Sequence, residues 1–189
     1  MKSFTRTRMA RTSLAAFGVC LGALVTAAAA QAEGTYLKGD VAGGFADRYS
    51  PGSGLDDNWR AGIGIGTNVT PHIRLEGEYI RNESNFKTTG GHSKADIGMA
   101  NAYYDFGDGK GFTPFVGAGA GYGHFDTAAG DDNSVTYQAT AGISKAINNR
   151  LTGEVAYKYL DAPDLHLGAT DTKYRSSFAG VGFRYRLGG

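Results

Sequence analysis

The chain has 189 residues, 41% of them hydrophobic, with 30 glycines and a mean hydropathy of −0.29. That hydropathy excludes a bundle of membrane helices, each of which needs about 20 near-continuous apolar residues. The glycine load argues against a helical globule, because glycine weakens helix interiors. With 19 basic against 18 acidic residues there is no basic excess to hold nucleic acid.

Residues 1–32 read as a cleaved signal peptide. Lys2, Arg6, Arg8 and Arg11 form a basic start without acids, and Leu14 to Ala30 is an apolar stretch. Ala30-Gln31-Ala32 then fits a small-x-small cleavage site, with Glu33 as the first mature residue. The single cysteine, Cys20, lies inside this leader behind Val19, where lipidation would want a small residue. Removing 32 of 189 residues leaves 157, with 15 bases, 18 acids, a formal net charge of −3 and no thiol chemistry. The remainder, 33–189, is expected to be one domain.

From Thr35 onward the dominant period is two, the period of a half-buried strand. Eight segments carry it: 35–45, 59–67, 73–81, 94–106, 114–125, 135–145, 151–160 and 174–187. In 59–67, Trp59, Ala61, Ile63 and Ile65 oppose Arg60 and three glycines; in 174–187, Val181, Phe183, Tyr185 and Leu187 oppose Arg184 and Arg186. The run Asn101 to Phe106 alternates poorly, which suggests a bulge there. Connections alternate between long and polar (46–58, 82–93, 126–134, 161–173) and short (68–72, 107–113, 146–150). This rhythm predicts an all-β, eight-stranded antiparallel up-and-down transmembrane β-barrel. Both termini then lie on the short-turn side, the periplasm, and four long loops face outside.

The polar face is expected to line the lumen. It holds Lys38, Asp40, Arg60, Arg74, Glu76, Glu78, Lys94, Asp96, Glu154, Lys158, Arg184 and Arg186. Unpaired charges in a narrow lumen are costly, so these should form salt bridges. Glu154 is expected to meet Arg184 or Arg186, and Glu76 and Glu78 to meet Arg60, Lys38 or Arg184. Inner-face glycines at 62, 64 and 66 and at 117, 119, 121 and 123 leave room for the long side chains. Such a network reads either as simple filling or as a gate with two pairings. The apolar face sorts its aromatics by height. Phe45, Trp59, Tyr79, Tyr137 and Tyr159 fall near the long-loop end, and Tyr103, Phe112, Phe183 and Tyr185 near the short-turn end. Two aromatic girdles around an apolar band belong at two lipid–water interfaces. A soluble barrel with the apolar face turned inward is the alternative.

Asn101-Ala102-Tyr103-Tyr104-Asp105-Phe106, the run Thr113 to Tyr122, Tyr157-Lys158-Tyr159-Leu160-Asp161 and the closing Gly182 to Leu187 resemble the small outer-membrane β-barrel family. That family includes OmpA-type transmembrane domains and opacity-protein-like surface antigens. The resemblance implies insertion into a Gram-negative outer membrane by its assembly machinery. It also implies contact with outer-membrane lipid and lipopolysaccharide, and roles in envelope structure, surface contact or host interaction. The sequence departs from the family in ending on Leu187-Gly188-Gly189 where an aromatic is usual.

No catalytic, cofactor or metal site is expected. His72, His92, His124 and His166 are scattered without metal-ligand spacing. A lipid-A-modifying hydrolase would need a His-x-Ser pair; His124 is followed by Phe125-Asp126 and His92 directly by Ser93. The glycine run 117–121 is followed by no helix, so it is no phosphate loop. Asp56, Asp57, Asp131, Asp132, Asp161, Asp164 and Asp171 read as solvated loop charges or as cation bridges to lipopolysaccharide, and Arg48, Lys87 and Lys173 are placed to touch lipid phosphates. The reading is therefore a non-catalytic barrel with a largely closed lumen. A narrow charge-gated channel is the first alternative, and a lipid-A-modifying enzyme the second.

Overall fold

Period-two alternation builds nine β segments and, among the described residues, no helix. The computed structural model describes residues 34–44, 48–50, 55–86, 92–107, 111–127, 130–167 and 170–188. The expected leader at 1–32, Phe45 and Lys87 lie outside these. The strands are β1 Tyr36–Gly44, β2 Arg48–Ser50, β3 Leu55–Asn68, β4 Ile73–Phe86, β5 His92–Asp105, β6 Phe112–Thr127, β7 Gly130–Ala146, β8 Leu151–Leu167 and β9 Thr170–Arg186. The eight long strands pair antiparallel with their chain neighbours, and β1 pairs with β9, which closes an eight-stranded barrel. The short β2 continues the ladder of β1 on β9, one residue out of step: Gly44 opposes Phe178, then Arg48 opposes Arg175.

Two ends differ. At the turn end, 69–72, 106–111 and 147–150 connect strands, and Leu187 N–H donates to Thr35 O at 2.9 Å. The turns at 69–72 and 147–150 are set by short polar side chains. Thr70 Oγ1 accepts from the backbone of His72 and Ile73, and Asn148 Oδ1 from that of Arg150 and Leu151. At the opposite, hairpin end the strands run further than their polarity suggested. β4 continues to Phe86, β6 pairs with β7 as far as Thr127 and Gly130, and β8 pairs with β9 as far as Leu167 and Thr170. The expected long connections 82–93, 126–134 and 161–173 are thus largely paired strand. Polar composition there marks surroundings of water, while the backbone ladder carries on.

The expected bulge at 101–106 is absent: β5 holds one register against both neighbours through Asp105. Register shifts fall instead between Asp56 and Trp59 and between Ala162 and Leu165. The second contains Pro163, which has no N–H to give a ladder, so a bulge suits it.

This unbroken register turns β5 the opposite way from the reading above. Ala95, Ile97, Met99, Asn101, Tyr103 and Asp105 are buried inside the barrel, whereas Lys94 and Asp96 face out near the hairpin end. Tyr103 is therefore not a girdle residue; it is 3% exposed in the lumen, and Tyr104 and Phe106 take the outer place beside His72. The physical reason is polarity at Asn101 and Asp105, which find their partners Glu78 and Arg74 on the lumen side of β4 and bring Ile97, Met99 and Tyr103 in with them.

The outer face of the remaining strands is apolar and exposed. Leu37, Val41, Ile63, Val116, Val135, Ile143, Val155 and Val181 form its middle. Trp59, Tyr79 and Tyr137 are exposed towards the hairpin end, Tyr159 is half-buried beside them, and Phe112, Phe183 and Tyr185 are exposed towards the turn end. A patch of this extent on a water-soluble monomer would associate, so it fits lipid.

Candidate functional site: a lumen in two halves

The half of the lumen nearer the turns is charged. Alternation along β1 brings Tyr36, Lys38 and Asp40 inward, that of β4 brings Arg74, Glu76 and Glu78, and that of β8 brings Glu154 and Lys158; all are buried. Arg60 of β3 is fully buried and Arg184 of β9 partly so.

Their contacts fall into two groups. In the group nearer the mouth, Arg74 reaches Asp105 with both Nε (2.7 Å) and Nη2 (3.0 Å), and Glu76 with Nη1 (2.7 Å). Glu76 also accepts from Lys38 Nζ (2.7 Å) and Tyr36 O–H (2.7 Å). The cations lie over aromatic faces, with Arg74 at 4.7 Å and Lys38 at 5.0 Å from the Tyr103 ring centre. Arg184 Nε stands 2.6 Å from Glu154 Oε1, an ion contact too bent to count as a hydrogen bond.

The second group sits deeper. Glu78 accepts from Arg60 Nη2 (2.9 Å), Lys158 Nζ (3.0 Å) and Asn101 Nδ2 (3.0 Å). Lys158 Nζ also holds both oxygens of Asp40 at 2.9 Å, and Arg60 Nη1 donates to Gln138 Oε1 at 2.8 Å. Charges balance within each group: Lys38, Arg74 and Arg184 against Glu76, Asp105 and Glu154, then Arg60 and Lys158 against Asp40 and Glu78. Local neutrality is what a low-dielectric interior demands, since an uncompensated charge there costs several kcal/mol.

Space for these side chains comes from glycine. A methyl group on Gly117 would collide with the Tyr103 ring, and one on Gly119 with the Asn101 amide. On β3, a Cβ at Gly62 would lie 2.8 Å from Glu78 Oε1 and 2.9 Å from Asp40 Oδ1.

The half nearer the hairpins is dominated by an apolar cluster, with Asn58, Asn82, Ser134, Thr136 and Ser176 buried beside it and Asn58 Nδ2 donating to Ser176 Oγ at 3.2 Å. Ile80, Ile97, Met99, Phe125, Leu160, Ala162, Leu165, Tyr174 and Phe178 form one buried cluster. Phe178 covers the charged half, its ring centre 5.5 Å from the Arg60 guanidinium.

Most of the anticipated lumen charges are thus brought together: Lys38, Asp40, Arg60, Arg74, Glu76, Glu78, Glu154, Lys158 and Arg184. Arg186 is not; it is exposed at the mouth, while Lys94 and Asp96 lie outside the barrel. Asp96 there accepts from Tyr79 O–H at 2.5 Å. Sequence reasoning missed Tyr36, Asn101, Tyr103 and Asp105 as lumen residues. The parity that Asn101 shares with Asp105 was the available signal, and the apolar Ile97 and Met99 on the same face masked it. Among the described residues no group of three or more His, Cys, Asp or Glu could hold a metal ion. His124 Nδ1 lies 3.0 Å from Asn133 Oδ1, and His72 Nδ1 lies 3.1 Å from the backbone oxygen of Asp105.

Residues 14–186 match the family described as the outer membrane protein beta-barrel domain. Among solved structures the chain resembles Neisserial surface protein A (NspA), with a TM-score of 0.69 at 21% identity, covering 81% of this chain and 97% of that one. It also resembles the outer membrane protein OprG of Pseudomonas aeruginosa, with a TM-score of 0.58 at 13% identity, covering 84% and 97%. Both likenesses are of fold. In sequence it is 28% identical over 78 residues to the outer membrane protein PagN of Salmonella typhimurium, covering 34% of this chain and 33% of that protein. The chain thus matches about a third of the length of that curated relative.

Proposed function

Because this chain belongs to the outer membrane protein beta-barrel domain family, we propose that it is a non-catalytic outer-membrane barrel with a closed lumen. It contributes to envelope structure and presents its paired hairpins for surface contact. The observation that carries this reading is the lumen itself. Five bases meet five acids in contact, and Phe178 and its apolar neighbours fill the space beyond them. An ion would have to displace paired charges and then pass the packed side chains around Phe178. The same pairing supports filling over a gate with two arrangements, because each carboxylate already holds its bases at hydrogen-bond or contact distance.

In this reading residues 1–32 are removed on export and the assembly machinery inserts 33–189. The turn end and both termini face the periplasm. The hairpins face outwards, where Asp126 opposes Asp131 across β6 and β7, and Asp161 pairs with Arg175 at 3.3 Å. The apolar outer band contacts lipid and lipopolysaccharide, and a host or surface ligand would meet the hairpins.

The test is single-channel recording of the purified barrel in a planar bilayer. Insertion without steady conductance is expected. A reproducible conductance that shifts in Glu78→Gln or Arg60→Gln variants would replace the closed barrel with a gated channel.

A further inference from the structure

We propose that the barrel mouth at the turn end is a binding site for a carboxylate-bearing peptide. The charge balance of the lumen points there. Six bases occupy inward positions of the described strands, and five of them are matched by the five acids. The sixth, Arg186, follows Arg184 on the same face of β9 and is exposed at the rim. Beside it the turn 147–150 places a further guanidinium, Arg150, because Arg186 N–H donates to Arg150 O at 2.8 Å. Among the described residues neither arginine has a carboxylate partner.

The two arginines overlook open space. One cavity of about 420 Å³ is lined by Arg184, Arg186, Asn68 and Thr152, and an adjoining one of about 280 Å³ adds Arg150. The described acids that reach this end do not cancel the surplus. Asp105, which lines the larger cavity, is held by Arg74, and Glu154 by Arg184. Below, the paired lumen forms a floor, so a ligand entering the mouth stops there.

The lining selects the chemistry. Guanidinium groups present planar forks of donors that suit carboxylates. The side chain of Asn68 offers both a donor and an acceptor, and Thr152 a hydroxyl. That combination serves the amide groups of a peptide, whereas a fully ionised phosphate, which only accepts, would leave the acceptors idle. The chemistry of the mouth is independent of the lumen's conductance and of which side of the membrane the mouth faces.

Calorimetric titration of tetraglutamate into barrel purified from membranes, at low ionic strength, tests the site. Saturable binding of one peptide per barrel is expected, weakened about tenfold or more by Arg186→Glu and by Arg150→Glu, since loss of a charged hydrogen-bond partner acts on this scale. Arg81→Glu, near the hairpin end, should leave binding unchanged. Both mouth arginines are exposed and outside the ion pairs, and heat-shifted gel mobility checks that the variants fold. Absence of saturable heat, or equal affinity in both mouth variants and the parent, overturns the site. Pyrophosphate binding as tightly and competing with the peptide overturns the peptide assignment.

Discussion

The two halves of the lumen fill similar space by opposite means. Near the turns, long charged side chains from facing strands meet in two neutral groups. Near the hairpins, Ile80, Ile97, Phe125, Leu160 and Phe178 pack in one apolar cluster. The apolar half gains from each residue separately, because burial adds up by area and a gap costs only its own contacts. The charged half has no such graded behaviour. Its members were desolvated together, and each is tolerable only while its partners remain. The apolar half is therefore tolerant of drift in side-chain type, and the charged half is a closed set.

Four substitutions sharpen that contrast. Glu78→Ala should act most strongly, because it takes an acceptor from Arg60, Lys158 and Asn101 at once and leaves two buried bases to the single carboxylate of Asp40. A loss of about 3–5 kcal/mol is expected for breaking a buried pair from one side. It would be read as a large fall in the temperature at which the folded band disappears on a gel. Phe178→Ala should cost about 3 kcal/mol, the lower end for a phenylalanine truncated in a core. Urea unfolding followed by tryptophan fluorescence measures it, and a cost above that of Glu78→Ala would erase the distinction between the halves. Glu154→Ala removes the partner of Arg184, but Arg184 reaches the watered mouth, so about 1–3 kcal/mol is expected. An unchanged melting midpoint would show that this pair contributes nothing. Arg175→Ala, which breaks the exposed pair with Asp161, should change stability by less than about 1 kcal/mol in the same gel assay.

How far the fold was legible depended on which signal a strand carried. In β3 from Trp59 to Gly66 and in β9 from Ala179 to Arg186, apolar residues alternate with glycine and arginine, so the residues facing inward there could be read directly. In β5 the two signals conflicted. Ile97 and Met99 look lipid-facing, while Asn101 and Asp105 on the same side must face in. A barrel whose lumen is polar throughout would have resolved this in favour of lipid for Ile97. The lumen carries an apolar cluster at that height, and its mixed character is a property of all eight strands together, invisible within any one. Tyr103 was misplaced for the same reason. Strand ends were misread at the hairpins because polar residues such as Asp131 and Asn133 sit in paired backbone. The pairing of Glu154 with Arg184 followed from their opposed positions on β8 and β9, whereas the attachment of Arg74 to Asp105 required the register of β5 to be known first.

The glycines of β6 give the barrel an uneven mutational landscape. At positions 117, 119, 121 and 123 an added methyl group meets, in turn, Tyr103, Asn101, backbone of Gly98 and Met99, and Phe125. Two of these obstacles belong to the charged half and two to the apolar half, so this single column runs past both. Random drift can exchange one aliphatic residue for another on the outer face at little cost. Along this column a single-nucleotide change that alters the residue replaces hydrogen with a side chain that has nowhere to go. Lineages descending from this gene should therefore diverge around β6 while keeping its inner edge bare.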